Sequence, residues 1–191
     1  METTGNRIVI ARAALELIAE RGFHGAPMAM IANRANVGSG TIYRYFKNKD
    51  VLITELYQEL EDRLYLDILE MYPENKSVRE RFIHLGTALL HYFIENSLDF
   101  RFLEQYLNSP YGVARRRGKF IEPVVDGNVF RVLFEDGISQ QIMKDIPLIV
   151  LFDLAFGPHF SLARDHILRF IALDETMIFQ TIEACWDAIR K

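Results

Sequence analysis

A chain of 191 residues, half of them hydrophobic and a quarter charged, is long enough for one large domain or for a small head on a larger body. Its longest apolar run, Ile146 to Phe152, contains Pro147 and is too short to span a bilayer, and no basic, apolar leader opens the sequence. The single cysteine, Cys185, excludes an intrachain disulfide framework and fits a reducing compartment, so a cytoplasmic protein without membrane insertion is expected. The net charge of −4 is unevenly spread. Residues 1–50 hold seven Lys/Arg against four acids (+3), and the remainder holds fifteen against twenty-two (−7). A mildly basic head on an acidic body can still meet phosphates, because the field is local at physiological salt.

Helical periodicity starts at once. Ile8, Ala11, Leu15, Ile18 and Ala19 share one stripe over residues 6–21, with Asn6 as the expected N-cap and Gly22 as the stop. Pro27 suits the first turn of a second helix through Ala35, with Met28, Ile31, Ala32 and Ala35 inward. Asn36, which tolerates the left-handed conformation, supplies a tight turn to a third short helix, Ser39 to Phe46. Asn48 then caps a long amphipathic helix, Lys49 to Met71, that ends near Pro73. On periodicity alone this head is either a helix-turn-helix or an ordinary small bundle with one short connection.

The rest reads the same way. Ser77 caps a helix through Ile94, with Phe82, Leu85, Leu89 and Phe93 spaced three or four apart. A segment Leu98–Leu107 breaks at Asn108-Ser109-Pro110, and another helix runs from about Pro123 to Asp136, stopped by Gly137. Two more follow: Pro147 to Ile171, interrupted at Gly157-Pro158, and Glu175 to Arg190. No sustained two-residue alternation suggests a sheet. The expected class is all-α, with about nine helices. A head of residues 1–50 is joined through the fourth helix, 49–71, to a body of residues 51–191.

The informative stretch is Ile31 to Leu52, IANRANVGSGTIYRYFKNKDVL. Ile31-Ala32, Ala35, Val37, Gly40-Thr41-Ile42-Tyr43, Tyr45-Phe46 and Lys49 resemble the DNA-binding signature of the TetR/AcrR family of transcriptional regulators. Ala13-Ala14 and Gly22-Phe23 resemble that family's first helix. The detailed resemblance covers about residues 7–56; beyond them only the succession of helices is similar.

Each position also has a physical role of its own. Gly40 lacks a side chain and lets the recognition helix approach the DNA backbone or base edges closely. Ser39 and Thr41 offer short hydroxyls at a helix start, where backbone amides already favour phosphate, and Thr41 can present its methyl to thymine. Tyr43 and Tyr45 offer phenolic donors and rings to pack along sugars, and Lys49 offers a point charge to phosphate. Arg44 can reach phosphate or a guanine edge. Phe46 reads as core. Two departures stand out: Asn36 occupies the family's usual turn glycine, and Ala26-Pro27 replaces the usual Ser/Thr cap, leaving one bond worth about 1 kcal/mol unmade.

The body is rich in aromatic residues. Tyr92, Phe102, Gln105, Tyr106, Asn128, Phe130, Arg131, Phe134, Phe152 and Phe156 are the candidate lining of an effector pocket, with Tyr92, Gln105, Tyr106, Asn128 and Arg131 as its polar members. Plain core is the competing reading for each. Ile178, Ile182, Cys185, Trp186 and Ile189 form a clean stripe on the last helix, and the helix before it is apolar nearly all round from Leu148 to Phe156. The stripe either docks on the monomer core or meets a second copy. The family resemblance implies pairing of these two helices with their twofold mates, through Leu151, Leu154, Ala155 and that stripe.

The resemblance implies a ligand-responsive regulator, a repressor in the family's usual mode. Its partners would be a palindromic double-stranded operator, a second copy of itself and a small, fairly hydrophobic effector, with no cofactor. The rivals are a helical interaction protein without specific DNA binding, and an enzyme. For the enzyme the sequence offers no catalytic residue and no metal set: His84 and His91, like His159 and His166, lie seven apart without a third ligand.

Overall fold

Helix starts and stops written into the sequence recur in the computed structural model, which describes residues 2–120 and 128–191, with side chains from 5 to 118 and from 128 onward. Ten α-helices lie among the described residues: α1 Glu2–Arg21, α2 Met28–Arg34, α3 Ser39–Tyr45, α4 Lys49–Ile68, α5 Val78–Glu95, α6 Ser97–Leu107, α7 Pro110–Phe120, α8 Val129–Ser139, α9 Leu148–Ile167 and α10 Glu175–Ile189. None is long and apolar enough to cross a membrane.

Gly22, at φ +68°, ends α1 in the left-handed region, its N–H donating to the Ile18 carbonyl at 2.8 Å. Asn36 does the same after α2 at φ +53°. There the Asn36 N–H donates to the Asn33 carbonyl and the Val37 N–H to the Ala32 carbonyl, both at 3.0 Å, the paired bonds of a Schellman turn. The Asn48 side chain accepts from the Val51 N–H at 2.9 Å and so caps α4. Ser77 and Glu80 form a reciprocal capping box on α5, with the Glu80 N–H on Ser77 Oγ at 3.2 Å and the Ser77 N–H on Glu80 Oε2 at 3.0 Å.

Four local readings need correction. Asn6 lies inside α1, not at its start. Ser109-Pro110, read as a break, also opens α7: the Gly112 N–H reaches Ser109 Oγ at 3.4 Å and Pro110 takes the first helical position. Gly137 is an interior residue of α8, and a Cβ there would stand 2.5 Å from Met143 Sδ, so close packing accounts for the glycine. Pro158 does not interrupt α9. It removes one hydrogen bond to the exposed Leu154, while buried Ala155, Phe156, His159 and Ala163 hold the helix to its neighbours. Positions 123–127 of the helix expected before Gly137 lie outside the described residues.

The chain divides into two compact units, one of residues up to Arg63 with Asn96–Val113, the other of Leu64–Glu95 with Ala114–Lys191. In the first, α1 packs on α2, α3 and α6. Its fully buried side chains include Ile10, Leu17, Ile18, Ile31, Ile42, Phe46 and Phe102. In the second, α5 packs on α8, α9 and α10, and α10 on α9, around Phe82, Phe93, Phe134 and Phe156.

The stripe on α10 belongs to this second core. Ile178, Ile182, Cys185, Trp186 and Ile189 are all buried within the protomer, as are Leu151 and Ala155 of α9. Of the residues expected at a dimer interface, Leu154 alone is exposed, at 40%. An amphipathic stripe records that one face is covered, and here the cover is α5 and α9 of the same chain.

Candidate nucleic-acid interface

The third helix is held by one side and open on the other. Ile42 is fully buried and Phe46, just past the helix, is buried with it. Ser39, Gly40, Tyr43 and Arg44 are exposed, with Thr41 and Tyr45 half-buried. Tyr43 exposes 54% of its surface, although an aromatic ring of that size ordinarily finds a packing partner. The Arg44 guanidinium lies 5.8 Å over the Tyr45 ring. Neither α2 nor α3 has a side-chain cap: Pro27 and Gly38 occupy the cap positions and accept no side-chain bond.

Gly40 is the telling residue. A Cβ built there meets no atom within 4 Å. Glycine inside a helix is about 1 kcal/mol worse than alanine, and nothing in this protein's own packing requires it. The backbone at that place is therefore open to a body approaching from outside.

The head's charges sort into two groups. Arg7 donates to Glu55 at 2.8 Å and pairs with Glu59 at 2.6 Å, and its guanidinium sits 5.4 Å over the Phe46 ring. Those carboxylates raise its pKa further. Arg34 donates to Glu20 at 2.9 and 3.1 Å, which holds the Glu20 carboxyl below its ordinary value, and Arg12 is bonded to Glu16 at 2.7 Å. Arg44 and Lys47, by contrast, are exposed and meet no carboxylate among the described residues. Both flank the open face of α3. Lys49 has a second attachment: its ammonium donates to the Phe23 carbonyl, tying the turn after α1 to the start of α4, and burial lowers its pKa.

The same unit holds a set of aromatic rings, most of which chain position alone assigns to the body. Tyr57 stacks on Tyr106, and Phe23 meets Phe102 at 6.2 Å and Tyr111 at 5.7 Å. The Tyr111 hydroxyl donates to the Asp50 carboxylate, which pushes its pKa up to about 12. Two profiles of known families match the chain: one described as bacterial regulatory proteins, tetR family, over residues 10–56, and one described as tetracyclin repressor-like, C-terminal domain, over residues 77–190. The chain belongs to the TetR family.

Its relatives agree. A TetR family protein from Vibrio parahaemolyticus is 30% identical, with 97% of this chain and 99% of that one covered and a TM-score of 0.77. An HTH-type transcriptional regulator of Haemophilus influenzae is 25% identical over 175 residues, 92% of this chain and 90% of its own. The fatty acid metabolism regulator protein of Bacillus subtilis is 38% identical over 72 residues, which cover 38% of this chain and 37% of that protein. The TetR chain described here is a DNA-binding transcriptional regulator of all-α fold, with α2 and α3 as its helix-turn-helix.

The residues expected to line an effector pocket are divided between the two units. Phe102, Gln105 and Tyr106 belong to the first unit with the TetR helix-turn-helix, with Phe102 and Tyr106 buried and Gln105 exposed. In the second unit Phe156 is the hub. Its ring centroid lies 4.9 Å from Phe130, 5.4 Å from Phe152 and 6.0 Å from Phe134. Tyr92 is buried there as well, its ring 6.4 Å from that of Phe93. Two of the polar candidates have local work: Asn128 caps α8 by accepting from the Phe130 and Arg131 N–H groups, and Arg131 pairs with Glu135 at 2.7 Å. His159, whose ring is 5.5 Å from Phe156, is not among the expected residues. Its i+3 spacing from Phe156 is the signal available in the sequence.

Proposed function

We propose that the protein is a ligand-responsive repressor that binds a palindromic operator as a homodimer and leaves it when a small, largely apolar effector occupies the second unit. The observation that carries the reading is the open face of α3. Gly40 has no neighbour, Tyr43 is exposed, and Arg44 and Lys47 are unpaired with acid, all on the helix that the family uses for DNA. Ser39, Gly40, Thr41, Tyr43, Arg44 and Tyr45 are the proposed DNA contacts, with Lys49 both a phosphate contact and a brace. Two such helices about 34 Å apart would meet successive major grooves on one side of the duplex.

The face left open on α9 supports dimerisation. Val150, Leu154, Gly157 and Ser161 step by four, three and four residues along one side of the helix, opposite its buried side. A Cβ at Gly157 would meet nothing within 4 Å, so a close approach from outside would again explain the glycine. The proposed interface is this stripe, with Leu154 kept from the sequence reading.

The aromatic cluster on Phe156 is the proposed effector site, because its wall of phenyl rings suits an apolar molecule. The chain crosses between the units at Arg63–Leu64, Glu95–Asn96 and Val113–Ala114, and two of those crossings fall inside α4 and α7. A shift of the second unit would therefore be transmitted through continuous helices. For release, the effector must bind the DNA-incompetent state more tightly than the competent one.

The test is binding of the purified protein to fragments from upstream of its own gene across a salt series, with Tyr43→Ala as control. Tight binding to one palindromic fragment, lost in the variant, is expected. Equal, weak binding to every fragment by both proteins would contradict the reading.

A further inference from the structure

We infer that His159 is the polar anchor of the effector site and that the effector is an apolar molecule carrying one carboxylate; the inference rests on the reading that the second unit binds an effector. Three buried side-chain nitrogens or oxygens lack a hydrogen-bond partner among the described residues, and two of them are the ring nitrogens of His159. The residue has no accessible surface. Burying a polar atom without a partner is costly, and an apolar residue of similar shape would remove the cost.

The neighbouring helix gives way to this ring. A Cβ on Gly86, in the middle of α5, would stand 3.2 Å from His159 Nε2 and 3.3 Å from the Ile182 side chain. Glycine in a helix interior weakens the helix. The chain thus gives up helix propensity and well-formed hydrogen bonds to hold an imidazole beside Phe156, in a cluster otherwise walled by phenyl rings. Close packing against His159 and Ile182 accounts for the glycine, but not for an imidazole in this place. A ligand that completes the hydrogen bonding accounts for the ring.

The chemistry of that ligand follows from the ring's surroundings. Burial lowers the His159 pKa to about 4, against an opposite pull from the Gly86 backbone, the one polar group that acts on the ring. No ionisable side chain of α5, α8 or α10, the helices packed on α9, acts on it. The free ring is therefore neutral, with one donor and one acceptor. A cationic ligand would meet no counter-charge there, and a hydrocarbon would leave both nitrogens unpaired. A carboxylate entering from water brings about one proton with it, shared between the carboxyl oxygen and a ring nitrogen, so that the buried pair carries no net charge.

Trp186, the sole tryptophan, reports on the site, because its ring is 5.3 Å from Phe82, which lies 5.5 Å from Phe156. The full-length protein is titrated by Trp186 fluorescence with hexanoate through dodecanoate, with ω-phenylalkanoates, and with the matching primary alcohols. At least one carboxylate is expected to bind saturably and at least about tenfold tighter than its alcohol, and His159→Leu should remove that preference by weakening the carboxylate more than the alcohol. Calorimetry in two buffers of different ionisation enthalpy should show uptake of about one proton, absent in the variant. Without ligand, His159→Leu should melt above the parent protein. A variant that keeps the acid preference, or that melts well below the parent because a buried water satisfies the ring, overturns the inference. So does a parent protein that binds its operator but none of these acids, an outcome that leaves the regulator reading standing. A parent protein that binds no operator, whatever acids it takes up, counts instead against the regulator reading.

Discussion

Tyr106 of α6 lies face to face on Tyr57 of α4, with ring centroids 3.8 Å apart and planes 10° from parallel. Both rings are buried, and both belong to the unit that carries the helix-turn-helix. The stack therefore fastens a late helix of the chain, α6, to the base of the DNA-binding head, where α6 also packs on α1. Tyr106→Ala removes a buried aromatic ring and its stacking partner's contact, and should cost about 3–4 kcal/mol of stability. Chemical denaturation measures it; a loss below about 1 kcal/mol would show that α6 is not a structural part of the head.

Gly40→Ala separates folding from DNA binding. With no atom within 4 Å of the new methyl, the substitution should stabilise the protein by up to about 1 kcal/mol through helix propensity alone. Operator affinity should fall by about tenfold or more if the helix backbone lies against DNA. Thermal melts and fluorescence anisotropy on one preparation give both values. An unchanged affinity would remove Gly40 from the interface.

Lys49 and Arg44 should fail in different ways. Arg44→Ala should relax discrimination between operator and mutated operator, at about 1–3 kcal/mol for a base contact. Lys49→Ala should weaken all DNA alike and reduce the salt slope by about one, and should also lower stability because the Phe23 carbonyl loses its donor. A Lys49 variant of unchanged salt slope but lower melting temperature would make this residue a brace alone.

Substitution of Gly157 and labelling of Cys185 together test where the proposed dimer interface lies. Gly157→Leu places a large side chain on the open stripe of α9, where the protomer itself has room, and should yield a folded monomer in sedimentation analysis. Cys185 is buried in the protomer core, and burial pushes its thiol up to about 11. It should therefore stay unreactive to thiol reagents at about pH 8 in the parent protein and in the monomeric variant alike. Rapid labelling in the variant alone would return Cys185 to the interface.

What could be read from the sequence depended on where a residue's reason lay. Asn36, Asn48 and Ser77 act on backbone within a few positions of themselves, and their turn and cap roles were visible in advance. Gly40 and Tyr43 have no reason in the protein's own packing, and so they stood out as candidate contacts for a partner outside it. Ser109-Pro110 can end one helix and begin the next, and the sequence offered no way to see that it does both. Pro158 signalled a break that burial of its neighbours overrides. The α10 stripe announced a covered face without saying by what, and within the protomer the cover is α5 and α9. Phe102 and Tyr106 looked like body residues because chain position hides their return to the head.

The most direct measurement is a hydroxyl-radical footprint of the full-length protein on an operator selected from random duplexes. Two symmetric protected patches on one face of the DNA, centred about 34 Å apart and lost with Gly40→Leu, are expected of a dimer reading successive major grooves through α3. Uniform protection without symmetry, or a footprint that survives Gly40→Leu, would contradict DNA recognition by this helix.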